Sequence, residues 1–145
     1  MSRIQKILIT FGVFWLSLWL ATVLGWPLSK LTGGITYTDT IFNAFALGVV
    51  MSLDRTFAAI LAGVLVTMVV TGRKSELWAL IVAVLYVVDA PVHYRWFHPA
   101  TGWDRLWQSV DLLFPAVACI VAAAITARLR RKGNTARVAQ PSAGG

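Results

Sequence analysis

Charge is what this sequence has least of. Only 13% of its residues are Asp, Glu, Lys or Arg, whereas a soluble domain carries about 25% to cover its surface. With 58% hydrophobic residues and a mean hydropathy of +0.72, the shortage excludes an ordinary soluble globular domain. Cysteine is nearly missing too. The single Cys119 cannot close an internal disulfide, which excludes a disulfide scaffold and says nothing about redox compartment. The two histidines, His93 and His98, share one short segment, whereas two axial haem ligands come from opposite sides of a bundle. A phosphate-cradling glycine loop, a Ser/His/Asp order and a Cys pair are all missing from the sequence, and no internal repeat stands out.

What is present is long apolar runs. Residues 7–26 carry no charge, and a run of that length spans about 30 Å of hydrocarbon. A basic start before an apolar run also fits a signal peptide. This run is longer than the usual core of one, and no A-x-A site follows before Pro27, so it reads as a retained span. Phe11, Trp15 and Trp19 recur at i, i+4 and i+8 and share one helix face. That face is a packing or lipid-facing stripe, or else an aromatic ligand platform. Residues 27–39 hold Pro27, Gly33, Gly34 and several hydroxyls, the chemistry of a connection, with Thr38 or Asp39 placed to cap the next helix.

Residues 40–71 admit two topologies. Either Asp54 and Arg55 form a loop between two short spans, giving five spans, or one span ends at Thr71, giving four. Basic residues concentrate on the cytoplasmic side. Four spans put nine Lys and Arg on the side of both termini and four on the other, whereas five spans put five on the N-terminal side and eight opposite. The sequence therefore predicts an all-α integral membrane protein with four transmembrane helices, at about 7–26, 50–71, 77–96 and 106–127, and both termini cytoplasmic. Residues 40–53 are then an extra short, re-entrant or interfacial helix, and re-entrant backbone must be covered by protein. At 145 residues there is room for one domain, 1–132, followed by a polar tail over 133–145 that reads as disordered.

The polar chemistry gathers near the outer face. Counting about 1.5 Å per residue from the inner helix ends, Asp54 and Arg55 lie about 25 Å up, Asp111 and His93 about 24 Å, and Asp89 about 18 Å. A carboxylate at such depth faces the bundle and takes a partner. Arg55 is the obvious candidate for Asp89, since its guanidinium stays charged and its fork holds a carboxylate. Pro91 and Pro115 would each remove a helical hydrogen bond beside this cluster. Asp54, Arg55, Asp89, His93 and Asp111 thus form an intramembrane polar cluster, either an ion-pair clasp, a pocket for an ion, proton or small polar ligand, or a set of snorkelling surface groups. Residues 97–104 read as an aromatic-rimmed lid over it. Ala59 with Gly63, and Ala58 with Ala62, are small-xxx-small pairs that allow close helix contact.

The net charge of +7 resides at the ends of apolar runs rather than on a basic face, so the expected partner is the bilayer and not nucleic acid. No cofactor and no metal are expected. The loops are too short for a soluble catalytic domain. The leading expectation is a non-enzymatic accessory or scaffold subunit of a bacterial inner membrane, acting through helix contacts with another membrane protein or with itself as a homo-oligomer. The alternative is a small oligomeric transporter or channel using Asp89 and Arg55. A third reading is a membrane enzyme or metal protein at Asp89, His93 and His98.

Overall fold

The computed structural model describes residues 1–31, 40–70, 75–94 and 102–138, with side chains described over 1–25, 40–70, 75–89 and 105–134. The described residues form five helices: α1 (Arg3–Leu31), α2 (Ile41–Met51), α3 (Leu53–Val69), α4 (Ser75–Tyr94) and α5 (Gly102–Val138). Local chemistry sets the starts of α1 and α2. At α1, Ser2 and Gln5 close a reciprocal capping box. The Ser2 N–H donates to Gln5 Oε1 at 2.8 Å and the Gln5 N–H to Ser2 Oγ at 3.2 Å. At α2 the cap is Thr40, whose hydroxyl accepts from the Asn43 N–H at 3.2 Å, in place of Thr38 or Asp39.

Contacts between helices give their directions. The C-terminal part of α1 meets the start of α3, where a Cβ on Gly25 would lie 2.7 Å from Asp54 Oδ2. Going down α3, Arg55 reaches Asp111, Gly63 abuts Cys119 and Thr67 meets Arg130, so α3 and α5 run parallel. Along α4 the order reverses, with Ala79 at Cys119 and Glu76 at Arg131. So α1 and α4 point one way, and α3 and α5 the other.

The inner faces of α3 carry small residues. Ala58, Ala59, Ala62 and Gly63 are buried; Ala58 and Ala62 lie beside Ser17 and Leu20 of α1, and a Cβ on Gly63 would collide with the carbonyl oxygen of Cys119 on α5. The small-xxx-small positions therefore serve the inside of the bundle. Around them Phe14, Val66, Val70, Val82, Tyr86, Ala116 and Cys119 complete the core. Two buried hydroxyls turn back on their own helices, Thr10 to the Lys6 carbonyl and Thr67 to the Gly63 carbonyl, each at 2.7 Å. Such back-bonding satisfies a hydroxyl where water is excluded.

The outer surface is apolar. Leu8, Trp15, Trp19, Phe42, Val88 and Leu129 are among its exposed large side chains, a pattern a soluble monomer avoids. Two stretches, Arg3–Gly25 in α1 and Arg105–Asn134 in α5, are long and apolar enough to cross a membrane. The pair α2–α3 makes a third if its bent halves count as one span. In α4, 20 residues long, side chains are described as far as Asp89.

Three boundaries differ from the sequence expectation. The span expected over 50–71 is broken at Ser52, where α2 and α3 meet at 52°. Ser52 is fully buried, and its hydroxyl donates to the Val49 carbonyl at 2.8 Å. A serine hydroxyl inserted into the carbonyl ladder bends helices in this way. The bend lets α2 stay on α5, with Gly48 so close to Trp107 that a Cβ would lie 2.7 Å from its carbonyl oxygen. Residues 41–51 are thus a short helix that packs one face, Ala44 and Gly48, against its neighbours and leaves Ile41, Phe42, Phe45 and Met51 exposed. Second, α1 runs past Pro27 to Leu31. Third, α5 continues through Gly133 to Val138, where a disordered tail is expected. The helix formers Arg128, Leu129, Arg130, Arg131 and Lys132 carry it past the one glycine, which costs about 1 kcal/mol relative to alanine.

Candidate functional site

The break at Ser52 puts Asp54 and Arg55 in the first turn of α3. Asp54 suits that turn because a carboxylate complements the positive end of the helix dipole, and its Oδ1 accepts the Arg55 N–H at 2.7 Å. Arg55 reaches across to α5 and pairs with Asp111, Nη1 to Oδ2 at 3.8 Å. The side chains retain 19% and 8% of their exposure, so the pair is largely desolvated. One turn along α5 sits the buried Pro115, which has no N–H to give to residue 111.

Beside this pair lies a cleft of about 610 Å³ between α1, α3 and α4. From α1 it is lined by Trp15, Leu18, Trp19, Ala21 and Thr22, from α3 by Asp54 and Arg55, and from α4 by Asp89. Its size is that of sites for small organic ligands or a few inserted side chains. Trp15 and Trp19 are also exposed, so the cleft reaches the apolar outer surface of α1. Below it the gap between α1 and α4 is closed. The Tyr86 hydroxyl donates to Ser17 Oγ at 2.6 Å, and the Ser17 hydroxyl in turn donates to the Phe14 carbonyl at 2.7 Å. The Phe14 and Tyr86 rings stack edge to face, 5.4 Å between centroids and 86° between planes.

Of the predicted cluster, Asp54, Arg55 and Asp89 share the cleft, and Asp111 stands behind it as the ion partner of Arg55. The sequence points to Asp89 as that partner. The structure gives Arg55 an ion pair with Asp111 and places Asp89 with Arg55 on the wall of one cleft. Depth counting puts both carboxylates near Arg55 but cannot tell which helix lies beside it. His93 is in α4, one turn beyond Asp89, with its side chain outside the described residues, and His98 and residues 97–101 of the expected lid lie outside them altogether. The helix α4 continues unbroken through position 91. Among the described residues no group of three His, Cys, Asp or Glu is arranged to hold a metal ion.

Sequence reasoning missed the floor, Ser17 with Tyr86, because a lone serine in one apolar run and a lone tyrosine in another carry no mutual signal. It also missed Thr22 and Gly25. The Phe11, Trp15 and Trp19 stripe does face outward on α1, and its last two members form one rim of the cleft.

No family model matches this chain, and no curated protein or solved structure does either.

Proposed function

We propose that this chain is a non-enzymatic accessory subunit of a bacterial inner membrane. It crosses four times, through α1, the bent pair α2–α3, α4 and α5, with both termini cytoplasmic. Its cleft receives a transmembrane segment of another membrane protein or of a second copy. The observation that carries this reading is the cleft itself. It reaches the lipid-facing side of α1 between two exposed tryptophans, yet has Asp54, Arg55 and Asp89 on its walls. Charged groups within a membrane face other protein or water rather than acyl chains, so a neighbouring helix that covers the cleft supplies the enclosure they need. The Arg55–Asp111 pair behind it joins α3 to α5 and keeps the wall in place.

A photo-crosslinking side chain at position 19, in cells, tests this. One discrete adduct, missing when the same group stands at the exposed position 57 of α3, is the expected result. Equal labelling at both positions would sink the proposal. A reporter fused after Gly133 checks the topology, and an external signal there contradicts four spans. A second reading, a small transporter using Asp89 and Arg55, draws on the volume of the cleft and requires the Tyr86–Ser17 floor to open. It predicts that Asp89→Asn leaves the fold intact and abolishes flux in liposomes.

A further inference from the structure

At the opposite end of the bundle, α5 carries Arg128, Arg130, Arg131 and Lys132 in one turn and a half. Arg130 Nη1 donates to the carbonyl of Thr67, in the last turn of α3, at 3.2 Å, and Arg131 Nη2 to Glu76 Oε1, in the first turn of α4, at 2.7 Å. Both hold neighbouring helices. Arg128 and Lys132, four residues apart, share one face of the helix, with Arg131 at its edge and Arg130 on the opposite side. They line a cleft of about 500 Å³ with Ile125, Leu129 and Arg131. On the same face, Val117, Val121 and Ile125 form an exposed apolar row, 55%, 50% and 53% accessible. The row runs along the helix axis and ends at the two cations.

We infer that this face of α5 is a binding site for one anionic phospholipid. Arg128 and Lys132 take the headgroup phosphate, and an acyl chain lies along Ile125, Val121 and Val117. The proposal rests on α5 being a membrane span with its C-terminal end at the cytoplasmic leaflet, but not on what fills the cleft at the other end. Each part of the face answers one part of the ligand. Two cations a helical turn apart complement a phosphate, and a row at i, i+4 and i+8 matches an extended hydrocarbon chain lying along a helix. The 1.5 Å rise per residue puts Val117 about 16 Å from Arg128, the length of a fatty acyl chain. An ordinary solvated basic face would have polar rather than exposed aliphatic side chains in line beneath it.

The test uses the full chain in a neutral detergent, titrated with phosphatidylglycerol or phosphatidylcholine in mixed micelles, with bound lipid counted by native mass spectrometry. One phosphatidylglycerol should be retained at least about tenfold more tightly than phosphatidylcholine, given the contribution of two basic side chains near an anionic group. Arg128→Ala with Lys132→Ala should remove that preference, Arg128→Lys with Lys132→Arg should keep it, and circular dichroism should report unchanged helicity for both. Arg3→Ala with Lys6→Ala, at the basic start of α1, should leave it intact. The proposal is overturned if the two lipids bind alike or if the Arg128/Lys132 alanine pair keeps the preference. It is also overturned if the Arg3/Lys6 pair loses as much, which would mean diffuse attraction. Displacement of the lipid by millimolar inorganic phosphate overturns it as well, by marking a site for the free ion.

Discussion

The bundle is tied at both ends by an arginine and a carboxylate, and the two ties are opposites. At the basic end Arg131 and Glu76 meet at 2.7 Å with side chains 66% and 44% exposed. At the aspartate-rich end Arg55 and Asp111 stand 3.8 Å apart, with far less of either side chain exposed. Distance alone would rank the first pair higher. Burial reverses the ranking. An exposed pair exchanges hydration for a contact of similar strength and contributes about 0–1 kcal/mol. In a buried pair each partner depends on the other, because removing one leaves a charge with neither water nor counter-ion, at a cost of about 3–5 kcal/mol. The same logic says that the buried pair need not stabilise the fold relative to an apolar pair of equal volume. Its effect is to make the meeting of α3 and α5 specific.

The largest effect should therefore come from Asp111→Ala, a loss of about 3–5 kcal/mol read as a lowered thermal midpoint in detergent. Replacing both Arg55 and Asp111 by apolar residues of similar volume should recover most of that loss. If Asp111→Ala melts like the parent, the pair is not a clasp. Gly63→Ala comes next. The new methyl meets the carbonyl of Cys119, and since backbone on both sides must move, about 1–3 kcal/mol should be lost. An unchanged midpoint would mean that α3 and α5 are further apart than described. Ser17→Ala removes the acceptor of the Tyr86 hydroxyl and should cost about 0.6–2 kcal/mol, the range of interhelical hydrogen bonds in membranes. Tyr86→Phe in the same background should add almost nothing if the two groups act only on each other. The smallest effect belongs to Glu76→Ala, within about 1 kcal/mol and smaller still at high salt. A large, salt-independent loss there would erase the contrast between the two ends.

Several features were legible before any coordinates. The helical class, the two long apolar stretches and the close-packing pair at Ala59 and Gly63 follow from run length and side-chain volume. The bend at Ser52 was not legible, because serine is common in helices and turns the chain only where its hydroxyl is buried and bonds backward. Nor was the ion pair of Arg55 with Asp111, which depends on the rotation of α5 about its own axis. The floor made by Ser17 and Tyr86 and the cleft above it depend on how far α1 and α4 stand apart, a distance that no periodicity encodes.

What belongs to the chain as written is its solvent. Little charge and long apolar runs favour lipid as the solvent of this chain, and hydrocarbon penalises any charge that does not face protein or water. What belongs to the assembled bundle is pairing. Tertiary packing alone decided that Arg55 joins Asp111, that Asp89 borders a cleft, and that of four neighbouring cations on α5 two tie helices together while Arg128 and Lys132 share a face with an apolar row. Depth is a one-dimensional property that a chain carries with it. Lateral neighbours are set in the other two dimensions, by close packing of side chains from helices far apart in sequence.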